Sequence, residues 1–253
     1  MLPWLPICAL LLASAAVVVY RWRTFRPTGV NLAPDIDAAR FTTAIATVIA
    51  ATALGITDAG DEVIDPALAR IGLGENISDL AQTVWLVLAC AFFAGQSAVV
   101  IQERITDKNY DVRRLALIVC AVVAVLLIIL SRLSESRTTP AASDFVFDDV
   151  AGRSYSLVFW CVIVVTALLV TTAASYSIID LGPQSQLVAM CTAGASSALV
   201  AAYVLGRFAA DHGGMADWLT RYGQYWTIPG LVGITVAGLL QGPGPAARRQ
   251  ARR

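Results

Sequence analysis

The sequence has little charge and few residues suited to acid–base or metal chemistry. Asp, Glu, Lys and Arg together make up 14% of the 253 residues, against roughly 25% in an ordinary soluble domain. At 57% hydrophobic, the chain is also too apolar to stay disordered. The composition therefore argues against both a soluble enzyme and an unstructured tail. Basic and acidic residues balance at 18 each, so no basic excess points to nucleic acid.

Lysine occurs once, at Lys108, outside the apolar blocks. A retinal Schiff base needs a lysine in a span, so a retinal protein is excluded. Histidine also occurs once, in the turn-like run Asp211-His212-Gly213-Gly214, where it reads as a solvated turn residue. No HExxH, GxSxG or GxxxxGK[ST] is present. Gly72-Leu73-Gly74 reads as a turn, and the sequon Asn76-Ile77-Ser78 matters only in a secretory eukaryote. The five cysteines, Cys8, Cys90, Cys120, Cys161 and Cys191, each fall in an apolar block without a CxxC spacing. They read as buried thiols, with no disulfide, metal or cofactor expected.

What is abundant is apolar sequence in long runs. Mean hydropathy is +0.69, and a membrane span needs about 20 mostly apolar residues. Segments 2–20, 41–56, 80–101, 115–133, 155–176, 186–206 and 227–240 meet that need or approach it, the second and seventh by borrowing flanking residues. The first block is followed, not preceded, by Arg21, Arg23 and Arg26. That order is opposite to a secretory signal and predicts a retained span with its amino terminus outside. In that frame twelve of the 18 basic residues lie inside and twelve of the 18 acids outside. This distribution predicts seven spans and an inner carboxyl terminus. Trp4, Tyr20, Trp22, Tyr155, Trp218, Tyr222, Tyr225 and Trp226 fall near span edges, as interfacial aromatics do.

The expected architecture is thus an all-α, polytopic seven-helix bundle in the cell membrane. Residues 1–240 form one transmembrane domain, and 241–253 a short basic cytoplasmic tail. Outside the spans, Pro66 to Ile71 reads as a short interfacial helix with Pro in its first turn and Asp65 as its cap.

Charged residues inside spans mark function, and this chain has almost none there. Among the polar residues that remain are Gln82 and Gln96, 14 positions apart on one face of the third span. Thr47 joins them from the second span and Thr172 from the fifth, with Asp180 in the short inner turn beside Gly182-Pro183. Together they are the candidate polar path for a small solute. Their ordinary role is hydrogen bonding between and within helices. A second pattern is a ladder of small residues in the sixth span, Gly194, Ala198, Ala202 and Gly206, repeating every four positions. Such a stripe lets helices approach closely, either within the bundle or between two copies. A third is the basic inner face, with Arg113 and Arg114 before the fourth span and Arg248 and Arg249 in the tail. These arginines set orientation and would contact anionic lipid or an acidic cytosolic partner.

Several local sequences follow one another along the chain: Arg21-Trp22-Arg23 after the first span, Asp65-Pro66-Ala67-Leu68 leading to Gly74-Glu75-Asn76-Ile77-Ser78-Asp79-Leu80, and Arg113-Arg114 opening the fourth. In this respect the chain resembles a family of actinobacterial seven-span membrane proteins that are described as transporters and whose function is unknown. The preference for arginine over lysine suits a GC-rich genome of that kind. Longer members of the family carry a cytosolic region after the last span, and some are encoded beside regulators or peptidase-like proteins. The resemblance implies a membrane accessory role, with the cytosolic part missing here or supplied by another protein.

Two functions follow. One is a non-enzymatic membrane accessory or sensor, favoured by the missing intramembrane charges and catalytic constellation. The other is a transporter or facilitator of a small solute, favoured by the polar stripes and the resemblance.

Overall fold

The computed structural model describes residues 11–20, 42–50, 64–71, 77–106, 110–134, 149–179, 184–210 and 233. Apart from a few flanking residues such as Ile71, Asp111, Ser134 and Asp149, these residues form helices: α1 (Leu11–Tyr20), α2 (42–50), α3 (Asp65–Arg70), α4 (Ile77–Ile105), α5 (Val112–Leu133), α6 (Val150–Ile179) and α7 (Gln184–Ala210). The carboxyl-terminal tail, most of the seventh predicted span, Asp180, His212, Arg248 and Arg249 lie outside the described residues.

Three helices are long and apolar enough to cross a membrane: Ile77–Ile105, Val112–Leu133 and the Val150–Tyr176 part of α6. At 1.5 Å rise per residue, α4 is about 44 Å long and α5 about 33 Å, against a hydrocarbon core of about 30 Å. α1 and the Met190–Tyr203 part of α7 are shorter apolar helices. The chain is a multi-pass membrane protein whose regular structure, among the described residues, is all α-helical.

The helices begin earlier than hydropathy alone suggests, because polar caps extend them. α5 starts at Val112, three residues before the first long apolar run. Asp111 sits at its N-cap and accepts a hydrogen bond from the Arg114 backbone N–H at 3.1 Å. The first four N–H groups of a helix have no partner within it, so this carboxylate carries Arg113 and Arg114 into the first turn. α6 starts at Val150 in the same way. Asp149 Oδ1 accepts from the Gly152 N–H at 3.2 Å and from the Ser134 hydroxyl at 2.9 Å. One carboxylate oxygen thereby caps α6 and ties it to the end of α5.

Asp65 departs from expectation. Its helix forms with Pro66 in the first turn, but Ile64 occupies the N-cap and makes no side-chain cap bond. The Asp65 carboxylate turns to α4 instead. It accepts from the Ser78 N–H and the Ser78 hydroxyl, both at 2.8 Å. A six-residue helix gains little from a cap, whereas the first turn of a 29-residue span holds amide groups that must find partners near the membrane.

α4 is the centre of the described bundle, packed against α5 on one side and α6 on another, while α6 also packs along α7. The core between α4, α5 and α6 consists of Val87, Ala91, Cys120, Leu127, Tyr155 and Phe159. Tyr155, read from sequence as an interfacial aromatic, is buried here, and its hydroxyl donates to Thr83 Oγ1 at 2.8 Å. Thr83 in turn donates to the Asp79 carbonyl at 2.9 Å. A buried phenol needs a partner in an apolar setting, and Thr83, one turn along from Asp79, provides it. α5 contributes little to the interior. Cys120 and Leu127 are buried, whereas Leu115, Ile118, Val122, Val125 and Ile129 point outward, as expected of a helix bathed in lipid.

Candidate functional site

The sequence-derived polar residues take up separate positions. Gln82 and Gln96 are both half-buried on α4, about 21 Å apart along the helix axis at 1.5 Å per residue. Gln96 Oε1 accepts from Arg113 Nη2 at 3.3 Å. The structure therefore joins one residue of the predicted polar path to one of the predicted basic face. Gly95 stands beside this contact, and a Cβ added there would lie 3.4 Å from the Arg113 Cα, an ordinary van der Waals distance. The start of α5 lies against α4 at this point, and the Arg113 side chain reaches the neighbouring Gln96. Arg114 is exposed.

Thr47 and Thr172 are each satisfied by their own helix. Thr47 donates to the Thr43 carbonyl and Thr172 to the Leu168 carbonyl, both at 2.8 Å. This back-bonding to position i−4 is the usual state of hydroxyls in apolar helices. Thr171 behaves differently. Its hydroxyl lies 2.8 Å from the Ala167 carbonyl and 3.4 Å from the Gly194 carbonyl of α7, so it also bridges two helices.

The small-residue ladder of α7 divides between environments. Gly194 is buried against α6, where a built Cβ would come within 3.1 Å of Ala174 Cβ. Ala198 and Ala202 are exposed, and Gly206 is half-buried. A neighbouring residue, Ser196, takes another close contact. A Cβ on Gly233 would overlap its side chain, so Gly233 lies directly against Ser196 of α7. Trp160 of α6 stacks edge-on against Phe159 and against Tyr203 of α7, at centroid distances of 5.2 and 6.4 Å.

Among the described residues, a cleft lies where α1 and α2 meet the outward side of α4. It offers about 400 Å³ and is open to the outside, with Thr42, Thr43, Ala46 and Thr47 on one wall and Trp85 and Leu88 on the other. Val18 of α1 borders it as well. Of the candidate path, only Thr47 lines this cleft.

No family model, curated protein or solved structure matches the chain. Among the described residues, no group of three or more His, Cys, Asp or Glu side chains is arranged to hold a metal ion. What the arrangement offers is tight helix packing, a polar tie between α4 and α5, and an open cleft walled by hydroxyls and aliphatic groups.

Sequence reasoning missed three features of this arrangement: the Asp65–Ser78 cap, the Tyr155–Thr83 pair, and Trp85 as a cleft wall. For the first there was a signal. An Asp-Pro pair and a Ser beside the start of an apolar run are both cap-forming chemistry, but nothing in their spacing of 13 positions shows that they meet. The other two depend on which face of α4 turns inward. That face is set by tertiary packing, because a span apolar on all sides has no sequence-visible inside.

Proposed function

We propose that this chain is a seven-span cell-membrane protein, amino terminus outside and carboxyl terminus inside, acting as a non-enzymatic accessory or sensor for a cytosolic partner. The observation that carries this reading is the filled interior between α4, α5 and α6. Val87, Ala91, Leu127 and Phe159 occupy it, and its polar pair, Tyr155 with Thr83, is hydrogen-bonded within the bundle. A solute passing between these three helices would have to displace packed side chains. The partner would meet the basic inner face, which in this topology includes Arg113, Arg114, Arg248 and Arg249. The same frame makes the chain's resemblance to actinobacterial seven-span proteins one of accessory function.

The test is a gentle pull-down of the tagged, full-length chain from native membranes into nanodiscs. A stoichiometric soluble protein that is lost when the four arginines are replaced by glutamine supports the reading. A bundle that purifies alone, with membrane level and behaviour unchanged by those replacements, overturns it. Reporters fused to each terminus check the topology. An inner amino terminus or outer carboxyl terminus would refute the orientation.

A second reading, a facilitator for a small solute, is favoured by the cleft beside Thr47. Saturable uptake into reconstituted vesicles, reduced by filling the cleft, would support it. No uptake across a broad solute panel would count against it. Self-association through Ala198 and Ala202 is compatible with either reading, since both residues are exposed on α7.

A further inference from the structure

We propose that the cleft between α1, α2 and α4 binds a single-chain lipid whose head carries a hydrogen-bond donor, a hydroxyl in the simplest case. The inference requires only that the chain lies in a membrane, and it stands apart from the choice between accessory and facilitator.

Four observations converge on this chemistry. The first is size: about 400 Å³ falls within the roughly 300–1,000 Å³ of small-molecule sites. The second is access. Trp85 and Leu88 stay 43% and 41% exposed, although α4 is otherwise the most enclosed of the three long apolar helices. The cleft is therefore open along the apolar flank of the bundle, and a ligand enters from the hydrocarbon phase. The third is the apolar wall. Leu88, Ala46 and the carbon framework of the Trp85 ring offer contact for a chain of methylene groups, and none of the lining residues is charged.

The fourth observation sets the head group. Thr47 lines the cleft, and its proton is committed to the Thr43 carbonyl at 2.8 Å. The hydroxyl therefore presents lone pairs, and its remaining capacity is as an acceptor. An alcohol can donate to it, whereas an ether or a simple ester brings only acceptors and finds no complement at this atom. In hydrocarbon, where water does not compete, that difference is felt in full.

The test uses the full-length protein in nanodiscs of one defined phospholipid, with native mass spectrometry as the readout. Hexadecanol and its methyl ether are added separately as probes matched in chain length. The wild type is expected to retain the alcohol about five-fold better than the ether, the ratio expected from one ordinary hydrogen bond. Thr47→Val keeps the shape, removes the acceptor and should abolish the preference. Ala46→Phe fills the cleft and should reduce retention of both probes. Equal retention of the two probes by the wild type overturns the proposal, as does a preference that survives in Thr47→Val. Equal retention of butanol and hexadecanol would overturn the lipid assignment and leave a small-solute site. Should Ala46→Phe fail to fold, the nearly isosteric Thr47→Val still decides.

Discussion

The carboxylate of Asp65 closes the start of α4 from outside that helix, accepting two hydrogen bonds from Ser78 at 2.8 Å. It is buried while doing so, with 8% of its surface exposed. Asp65→Asn keeps the size but loses the charge and one acceptor. Loss of an N-cap costs about 1 kcal/mol, and a hydrogen bond to a charged group about 1.5–3 kcal/mol. Thermal unfolding in detergent should therefore occur at lower temperature in Asp65→Asn and Ser78→Ala, and the double variant should lose less than the sum of the two. Strict additivity would show that the two residues act independently.

Tyr155 and Thr83 form the polar pair of the α4–α6 core, 2.8 Å apart. The two ends of this bond are unequal. Tyr155→Phe removes the donor and leaves Thr83 bonded to the Asp79 carbonyl, so the cost should be near 1 kcal/mol. Thr83→Val instead leaves a buried phenol without its partner, at about 1–3 kcal/mol. Denaturant or thermal titration of both variants should rank Thr83→Val as the more damaging. The reverse order would mean that the phenol finds another partner.

Gly233 and Ser196 leave no room for a side chain between them. Gly233→Ala should overpack this contact, costing about 1–3 kcal/mol. Combining it with Ser196→Gly should recover part of the loss, because the blocking atoms are then gone. Combining it with Ser196→Ala should not, because that residue's Cβ remains. Stability of the three variants in nanodiscs decides the matter, and rescue by Ser196→Ala would contradict the geometry.

The α7 ladder separates packing inside the bundle from packing between copies. Gly194 faces Ala174, with 3.1 Å available to an added Cβ, while Ala198 is exposed. Gly194→Val should lower the unfolding temperature of the single chain. Ala198→Ile should leave that temperature nearly unchanged and alter only the particle mass, if two copies meet there. A stability loss in Ala198→Ile with constant mass would place that residue in an intramolecular contact.

Helical class and membrane character were legible in the sequence because both depend on long-range averages of hydropathy. Three predicted spans recur as long apolar helices, each beginning three to five residues early. The difference is chemical. Asp111 and Asp149 lie outside any apolar window, yet they supply the acceptors that let a helix begin there. The finer arrangement was not legible. Gln82 and Gln96 share a helical face by spacing, but whether that face meets a cavity, a neighbour or lipid is decided by α5. There the start of α5 lies against Gly95, and Arg113 bonds Gln96. The four-residue ladder of α7 has the same limit. It identifies a stripe of small residues, but α6 covers Gly194 and leaves Ala198 and Ala202 uncovered.

The bond from Ser134 to Asp149 has a practical consequence for engineering. It pins the two ends of the segment between α5 and α6, 15 positions apart, on one carboxylate oxygen that also starts α6. The entropy of bringing those ends together has already been overcome, and doubling the length of such a connection adds only about 0.6 kcal/mol. An epitope or small reporter spliced between Ser134 and Asp149 would therefore stretch the connection without loosening the helices, and this hairpin is the natural place to label the protein for imaging in a living membrane.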